Sequence, residues 1–348
     1  MTTMKRLLTY LTIPLALLTS CIGEEEFDNS CNGNFEALWQ LIDEHYCFFA
    51  QAEEEFGLDW NAVHDKYKPI ADTCRDEFIL FDMLGDMLGE LRDGHVNLSS
   101  MFGTSYYWDW QLKGPMNFSD SIQRGYLGTD FKMTNGIKYN ILPDSIGYVY
   151  VGSFSGGFNT NNLSLMLYNM RECKAIILDI RNNGGGKITA AEKLASIFIK
   201  EQIHYGYMQH KTGKGHNDFS PPEPLYLEPS EGARWLRPVV VLTNRGVYSA
   251  ANHFVLIMRQ LPHVAIIGDK TGGGSGMPLN STLPNGWNVR LSACPTLDLD
   301  YRHTEFGIEP HIKVDITSED WNNGHDTIIE RAKALIFDYY SKKEEQEG

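Results

Sequence analysis

Pro238-Val239-Val240-Val241-Leu242-Thr243 is followed directly by Asn244-Arg245-Gly246 and then by Val247-Tyr248-Ser249-Ala250-Ala251-Asn252. The first six residues are a branched, apolar run of the kind that fills a strand buried on both faces. The next three are turn-formers, and an apolar helix is expected over residues 249–260. Strand, short loop and helix in succession form the repeating unit of an α/β fold. The same order leaves Ser249 at a helix N-terminus, where backbone N–H groups favour developing negative charge. Serine is also a preferred helix cap, so this stretch alone leaves cap and nucleophile both open.

The alternation continues on both sides. Strands are expected at Ile146–Val151, Ala175–Ile180, Ile203–Met208, Val239–Leu242 and Val264–Ile267, with helices over 161–172 and 188–200 between them. Asn135-Gly136, flanked by Phe131-Lys132-Met133 and Ile137-Lys138-Tyr139, is a strong hairpin signal. Upstream the period changes. Phe35, Leu38, Trp39, Ile42, Tyr46 and Phe49 recur at helical spacing. Two further sets do the same, Trp60-Val63-Tyr67-Ile70 and Phe81-Leu84-Met87-Leu88-Leu91. The chain therefore divides into a helical domain over 34–98 and an α/β core over 99–340, closed by an amphipathic helix from Asp326 to Tyr340. A Pro-rich excursion at 219–234 interrupts the core.

The 348 residues carry a net charge of −15, which disfavours nucleic-acid binding and a basic membrane-surface mode. The N-terminus is a leader over residues 1–20: Lys5 and Arg6, the apolar run Leu7–Leu18, then Leu18-Thr19-Ser20-Cys21. That last tetrad resembles the lipobox of bacterial lipoproteins. The resemblance implies cleavage before Cys21, acylation of that cysteine, and a tether over 21–33 that includes Glu24-Glu25-Glu26. A cell-envelope location follows, with membrane attachment through lipid rather than a spanning helix. The acidic run resembles the surface-export tether of Bacteroidetes lipoproteins. The other five cysteines are scattered without a CxxC pair, so no zinc site is indicated, and one disulfide among Cys31, Cys47 and Cys74 is open. No metal or other cofactor is expected.

Three more segments carry chemistry. Ile176–Arg181 runs into Asn182-Asn183-Gly184-Gly185-Gly186, where three residues without a Cβ can turn amides into a cavity. Such a loop serves an oxyanion hole or a tight turn, and the spacing fits no phosphate-binding motif. His95, in Asp93-Gly94-His95-Val96, stands where the helical domain hands over to strand, placed for a general base or for a structural histidine. Glu305, in Thr304-Glu305-Phe306-Gly307-Ile308-Glu309-Pro310, is an orienting carboxylate or a solvated one.

Taken in order, these segments and Ile267-Gly268-Asp269-Lys270-Thr271-Gly272-Gly273-Gly274 resemble the S41 peptidases, which include C-terminal processing proteases and the tricorn core peptidase. The resemblance covers about residues 34–340. It implies a crotonase/ClpP-like α/β spiral core behind a small helical domain. It also chooses a base. The processing proteases carry a lysine where Gly274 stands here, unless Lys270 substitutes for it, whereas the tricorn-like branch uses histidine and glutamate. The roles implied are Ser249 as nucleophile, His95 as base, Glu305 as its orienter, and the N–H groups of Gly185 and Ala250 as oxyanion donors. Gly94 replaces the serine that precedes the tricorn histidine. The stretch from His95 to Ile146 is too short for the PDZ module of many relatives, so the cleft must choose substrate, with Tyr106-Tyr107-Trp108-Asp109-Trp110 and 219–234 as candidate lining.

The function implied is a membrane-anchored serine peptidase acting on peptides or unfolded proteins outside the cytoplasm. The alternative is a catalytically inactive relative that binds hydrophobic ligands or peptides, as interphotoreceptor retinoid-binding proteins do. A glycan-binding surface lipoprotein fits the export route but leaves the serine and glycine loops unexplained. The sequence carries no signal of oligomeric state.

Overall fold

A computed structural model describes residues 27–112 and 114–347. The leader, Cys21 and the acidic run lie outside them. The chain opens with four helices, α1 (Cys31–His45), α2 (Phe49–Phe56), α3 (Trp60–Thr73) and α4 (Glu77–Gly89). Ser30, Asp59 and Asp76 cap α1, α3 and α4 by accepting amides of the first turn, which fixes where each begins. α2 has too short an apolar face to stand out in the sequence, and Gly57 ends it in the left-handed region.

Next come β1 (Asn97–Ser99), α5 (Asp109–Leu112), α6 (Asp120–Leu127), and the strands β2 (Lys132–Thr134) and β3 (Ile137–Ile141). Asn135 and Gly136 both take positive φ between β2 and β3, as the hairpin signal requires. The core continues through β4 (Ile146–Tyr150), α7 (Thr160–Asn169), β5 (Ala175–Asp179), α8 (Ile188–Ser196), β6 (Ile203–Met208) and β7 (Glu223–Leu227). Then follow β8 (Val239–Thr243), α9 (Ala250–Met258), β9 (Val264–Gly268), β10 (Met277–Thr282), β11 (Asn288–Cys294) and β12 (Thr296–Leu297). The chain closes with β13 (Ile312–Lys313), α10 (Ser318–Asn322) and α11 (Thr327–Glu347).

The central sheet has the order β13-β9-β8-β5-β4-β3-β2, parallel from β13 to β4 and antiparallel beyond. Its residues alternate between two cores. Ile176, Leu178, Val239 and Val241 face one packed with residues of α7, α8 and α9, and Ile177, Val240 and Leu242 face another closed by Ile328, Ile329, Ala332 and Ile336 of α11. This is the mixed α/β core with preceding helices that the alternation predicts. A third core joins α1, α3 and α4 to Leu283, Trp287, Val289 and Leu291 of the β10–β11 hairpin, and β1 pairs with β11. The helices therefore share their interior with a hairpin near the other end of the chain. The excursion 219–234 supplies β7, which pairs with β6.

Arg181 ties the end of β5 in place. Its fully buried guanidinium grips Asp179 at 2.6 and 2.9 Å, Asp326 at 2.8 Å and the Asn117 carbonyl at 3.1 Å. Burial alone would discourage that charge, but Asp179 and then Asp326 outweigh it and push the guanidinium pKa up. The five cysteines of the described residues are free thiols, and Cys74 Sγ donates to the Asp76 carbonyl at 3.3 Å. No helix among the described residues is long and apolar enough to cross a membrane.

Candidate active site

The site lies past the C-terminal ends of the parallel strands, where loops in open α/β sheets gather. The loops after β5 and β8 are stitched together: Asn182 donates its N–H to Asn244 Oδ1 at 2.9 Å, and Asn244 Nδ2 returns a bond to Asn182 Oδ1 at 2.8 Å. Tyr248 N–H then donates to the Asn183 carbonyl at 3.0 Å and Ser249 N–H to the Gly273 carbonyl at 2.8 Å. Ser249 is thus held from both sides at φ 57° and ψ −123°. A non-glycine residue in that region costs of order 1–3 kcal/mol and persists only where its surroundings impose it. Although Ser249 occupies the cap position of α9, its side chain makes no cap bond. The hydroxyl is instead 3.0 Å from His95 Nε2. Between cap and nucleophile, the geometry favours the second.

His95 follows α4, and its backbone N–H donates to Asp93 Oδ1 at 2.7 Å. Asp93 is buried and also accepts from Ser292 Oγ at 2.7 Å. The His95 ring packs edge-on against Tyr248 at 4.9 Å. Burial, helped by Arg290, lowers the imidazole pKa against the opposing pull of Asp93 and the Gly276 backbone. A neutral imidazole able to accept a proton is the form a general base needs.

Two expectations need correction. The bond from His95 to Glu305 is not made: His95 Nδ1 has no hydrogen-bond partner among the described residues. Glu305 Oε2 is taken by Ser275 N–H at 2.6 Å, Gly276 N–H at 3.3 Å and Ser275 Oγ at 3.3 Å. Burial and the nearby charge of Asp93 push the Glu305 pKa well up, and those two amides only partly offset them. Gly185 is also not an open donor, because its N–H is bonded to Asn183 Oδ1 at 2.9 Å. The amides of Gly186 and Ala250 make no hydrogen bond among the described residues, and both residues line the cavity beside Ser249. Gly185 still needs to be glycine, since at φ +96° a Cβ there would press on Ser249 Cβ at 2.8 Å.

Two other glycines are set by Tyr248. A side chain on Gly274 would overlap the Tyr248 ring, and one on Gly94 would meet the Tyr248 hydroxyl at 3.0 Å and Trp108 at 3.2 Å. Tyr248 thus fills the space that a lysine at 274 or a serine at 94 would need. Lys270 pairs with Glu309 at 3.6 Å. Sequence reading missed Tyr248, Asp93 and Arg290 as site residues, and only their adjacency to Ser249 and His95 hinted at the first two.

A cavity of about 280 Å³ adjoins Ser249 on one side, walled by Ile188, Leu256, Met277 and Pro278 with Asn252 and His253 among its polar residues. A wider groove of about 490 Å³ adjoins it on the other, with Trp108 and Gly184–Gly186. Arg290 borders both. No group of three His, Cys, Asp or Glu side chains among the described residues is placed to hold a metal ion.

Residues 145–314 match peptidase family S41, and residues 27–89 match the Tricorn protease C1 domain. A crystal structure named for a peptidase of Parabacteroides merdae ATCC 43184 superposes with a TM-score of 0.84 at 53% identity, covering 89% of this chain and 97% of that one. Mature CPAF shares the fold, with a TM-score of 0.65 at 13% identity over 85% of this chain and 94% of its own. The carboxy-terminal processing protease CtpA of Bacillus subtilis (strain 168) is 24% identical over 219 residues, 62% of this chain and 43% of that protein. The chain spans less than half the length of the curated relatives it matches.

Proposed function

The chain belongs to peptidase family S41, and from that premise we propose that it is a serine peptidase that cleaves peptides or unfolded proteins outside the cytoplasm. Ser249 Oγ attacks the peptide carbonyl while His95 Nε2 takes its proton, then delivers it to the leaving amine. The N–H groups of Ala250 and Gly186 receive the oxyanion, Gly186 standing in for Gly185; one such donor is worth roughly 3–4 kcal/mol in the best-measured case. Glu305, held by the amides of Ser275 and Gly276, supports the loop beside His95 in the resting state rather than bonding the imidazole directly. The observation that carries the reading is the 3.0 Å contact between His95 and a serine held at positive φ without a cap bond. The apolar cavity beside Ser249 would take the side chain before the scissile bond. Acylated Cys21 would hold the protein at the envelope, facing the periplasm or the cell surface.

The absence of a bond between Glu305 and His95 favours the second reading, a silent relative that binds peptides or hydrophobic ligands without cutting them. Incubation with a reduced, carboxymethylated protein separates the two. New amino termini that appear with wild type and not with Ser249→Ala support the peptidase. Binding with no new termini overturns it.

A further inference from the structure

Behind the catalytic residues lies a second cavity, of about 220 Å³, into which Arg92, Arg245 and Lys270 converge. In a chain of net charge −15, three cations around one hollow run against the composition. The acids facing it are Glu55, which is exposed, and Glu305, whose burial favours its neutral form. Arg245 is partnered by Asp269 at 3.1 Å and Lys270 by Glu309 at 3.6 Å. Arg92 makes no ion pair among the described residues, and its guanidinium lies 4.3 Å over the Phe56 ring. Its backbone is held at φ 51°, a conformation arginine seldom adopts. The remaining wall is aromatic, from Phe56, Tyr107 and Phe306.

We propose that this cavity binds a carboxylate borne on an apolar or aromatic group, with Arg92 as its main anchor and Lys270 and Arg245 in support. A guanidinium offers a carboxylate two parallel N–H donors, and the rings shelter the apolar body. The position makes it an effector site. Arg92 is in the loop Arg92-Asp93-Gly94-His95, Tyr248 precedes Ser249, and Glu305 forms part of the wall. A ligand seated there touches the loop that carries His95 through Arg92 and Gly94. A free organic acid and the last residue of a peptide chain share the required chemistry.

The test uses Ser249→Ala protein, so that binding is read without turnover and independently of the proposed activity. Calorimetric titration compares N-acetyl-phenylalanine, its amide, and a decapeptide ending in phenylalanine as acid or amide. Saturable binding of the acids is expected, with at least tenfold weaker binding of the amides and of the acids to Arg92→Gln or Lys270→Gln. Binding of both acids supports any ligand of this class, and binding of the peptide acid alone supports a chain terminus. Equal binding of acid and amide, or weakening by Arg290→Gln in place of Arg92→Gln, overturns the site. The coupling rests on Ser249 being the nucleophile. In wild type, saturating ligand should speed fluorophosphonate labelling of Ser249 at least threefold, and an unchanged rate overturns the effector role.

Discussion

Two pairs of carboxylates are buried in this molecule, and they are treated in opposite ways. Asp179 and Asp326 share Arg181, and every partner lies within 2.6–3.1 Å in the core. Asp93 and Glu305 make no ion pair among the described residues and are held only by hydroxyls and amides of Ser292, Tyr248, Ser275, Gly276 and His95. A buried pair that is neutralised fixes structure, here the strand end from which the glycine loop departs. Without a cation beside it, Glu305 is pushed toward its neutral form, so its charge depends on its surroundings. The second pair is the one beside His95.

The largest effect that could break this contrast belongs to the second region. Ser249→Ala or His95→Ala should lower the rate of peptide hydrolysis by about 10⁴ to 10⁶-fold with little change in melting temperature. A loss of folding with specific activity intact would erase the distinction. Next comes Arg181→Met, which leaves Asp179 and Asp326 buried and uncompensated and should cost about 3–5 kcal/mol in a denaturant melt. Activity per folded molecule should survive, and a melt within experimental error of wild type would show the ion network to be dispensable.

Glu305→Gln sharpens the comparison at smaller scale. Its side chain is bonded to amides rather than to His95 and favours its neutral form, so the loss should match one ordinary hydrogen bond, about 0.5–1.5 kcal/mol or roughly 2- to 10-fold in kcat/KM. A loss near 10⁴-fold would instead mark Glu305 as the direct orienter of the imidazole, the role its sequence position implies. The smallest effects are in pH. Burial lowers the His95 pKa, so the acid limb of kcat/KM should lie below the usual 6.5, and stability tied to the neutral ring should be lost as pH falls through that limb. Glu305 has the opposite sign. Its pKa is raised above the usual 4.5, so its contribution is complete below 4.5 and is lost as pH rises through the folded value. The melting temperature of Glu305→Gln should therefore gain on wild type with rising pH; a constant difference would contradict the raised pKa.

Much of this was legible because it is local. The strand before Ser249, the glycine triplet and the Asn135-Gly136 turn each declare themselves within a few residues, and β6 falls where the apolar run places it, Ile203–Met208. Long-range pairings were not legible. β10 is exposed at five of its six positions and shows no alternation, so nothing in Met277–Thr282 announces a strand or the core it shares with α1 and α4. Glu305 was found by its order in the chain, but whether it meets His95 depends on where the amides of Ser275 and Gly276 fall. The Gly185 N–H is taken because the Asn183 side chain turns back onto it, a choice of rotamer that no sequence pattern records.

The central claim is that His95 activates Ser249, and the pH dependence of fluorophosphonate labelling, read by intact mass and peptide mapping, tests it most directly. One adduct should form, on Ser249, at a rate that rises through the deprotonation of a group below 6.5 and falls away in His95→Ala. An adduct elsewhere, no adduct on the folded protein, or undiminished labelling in His95→Ala would contradict it.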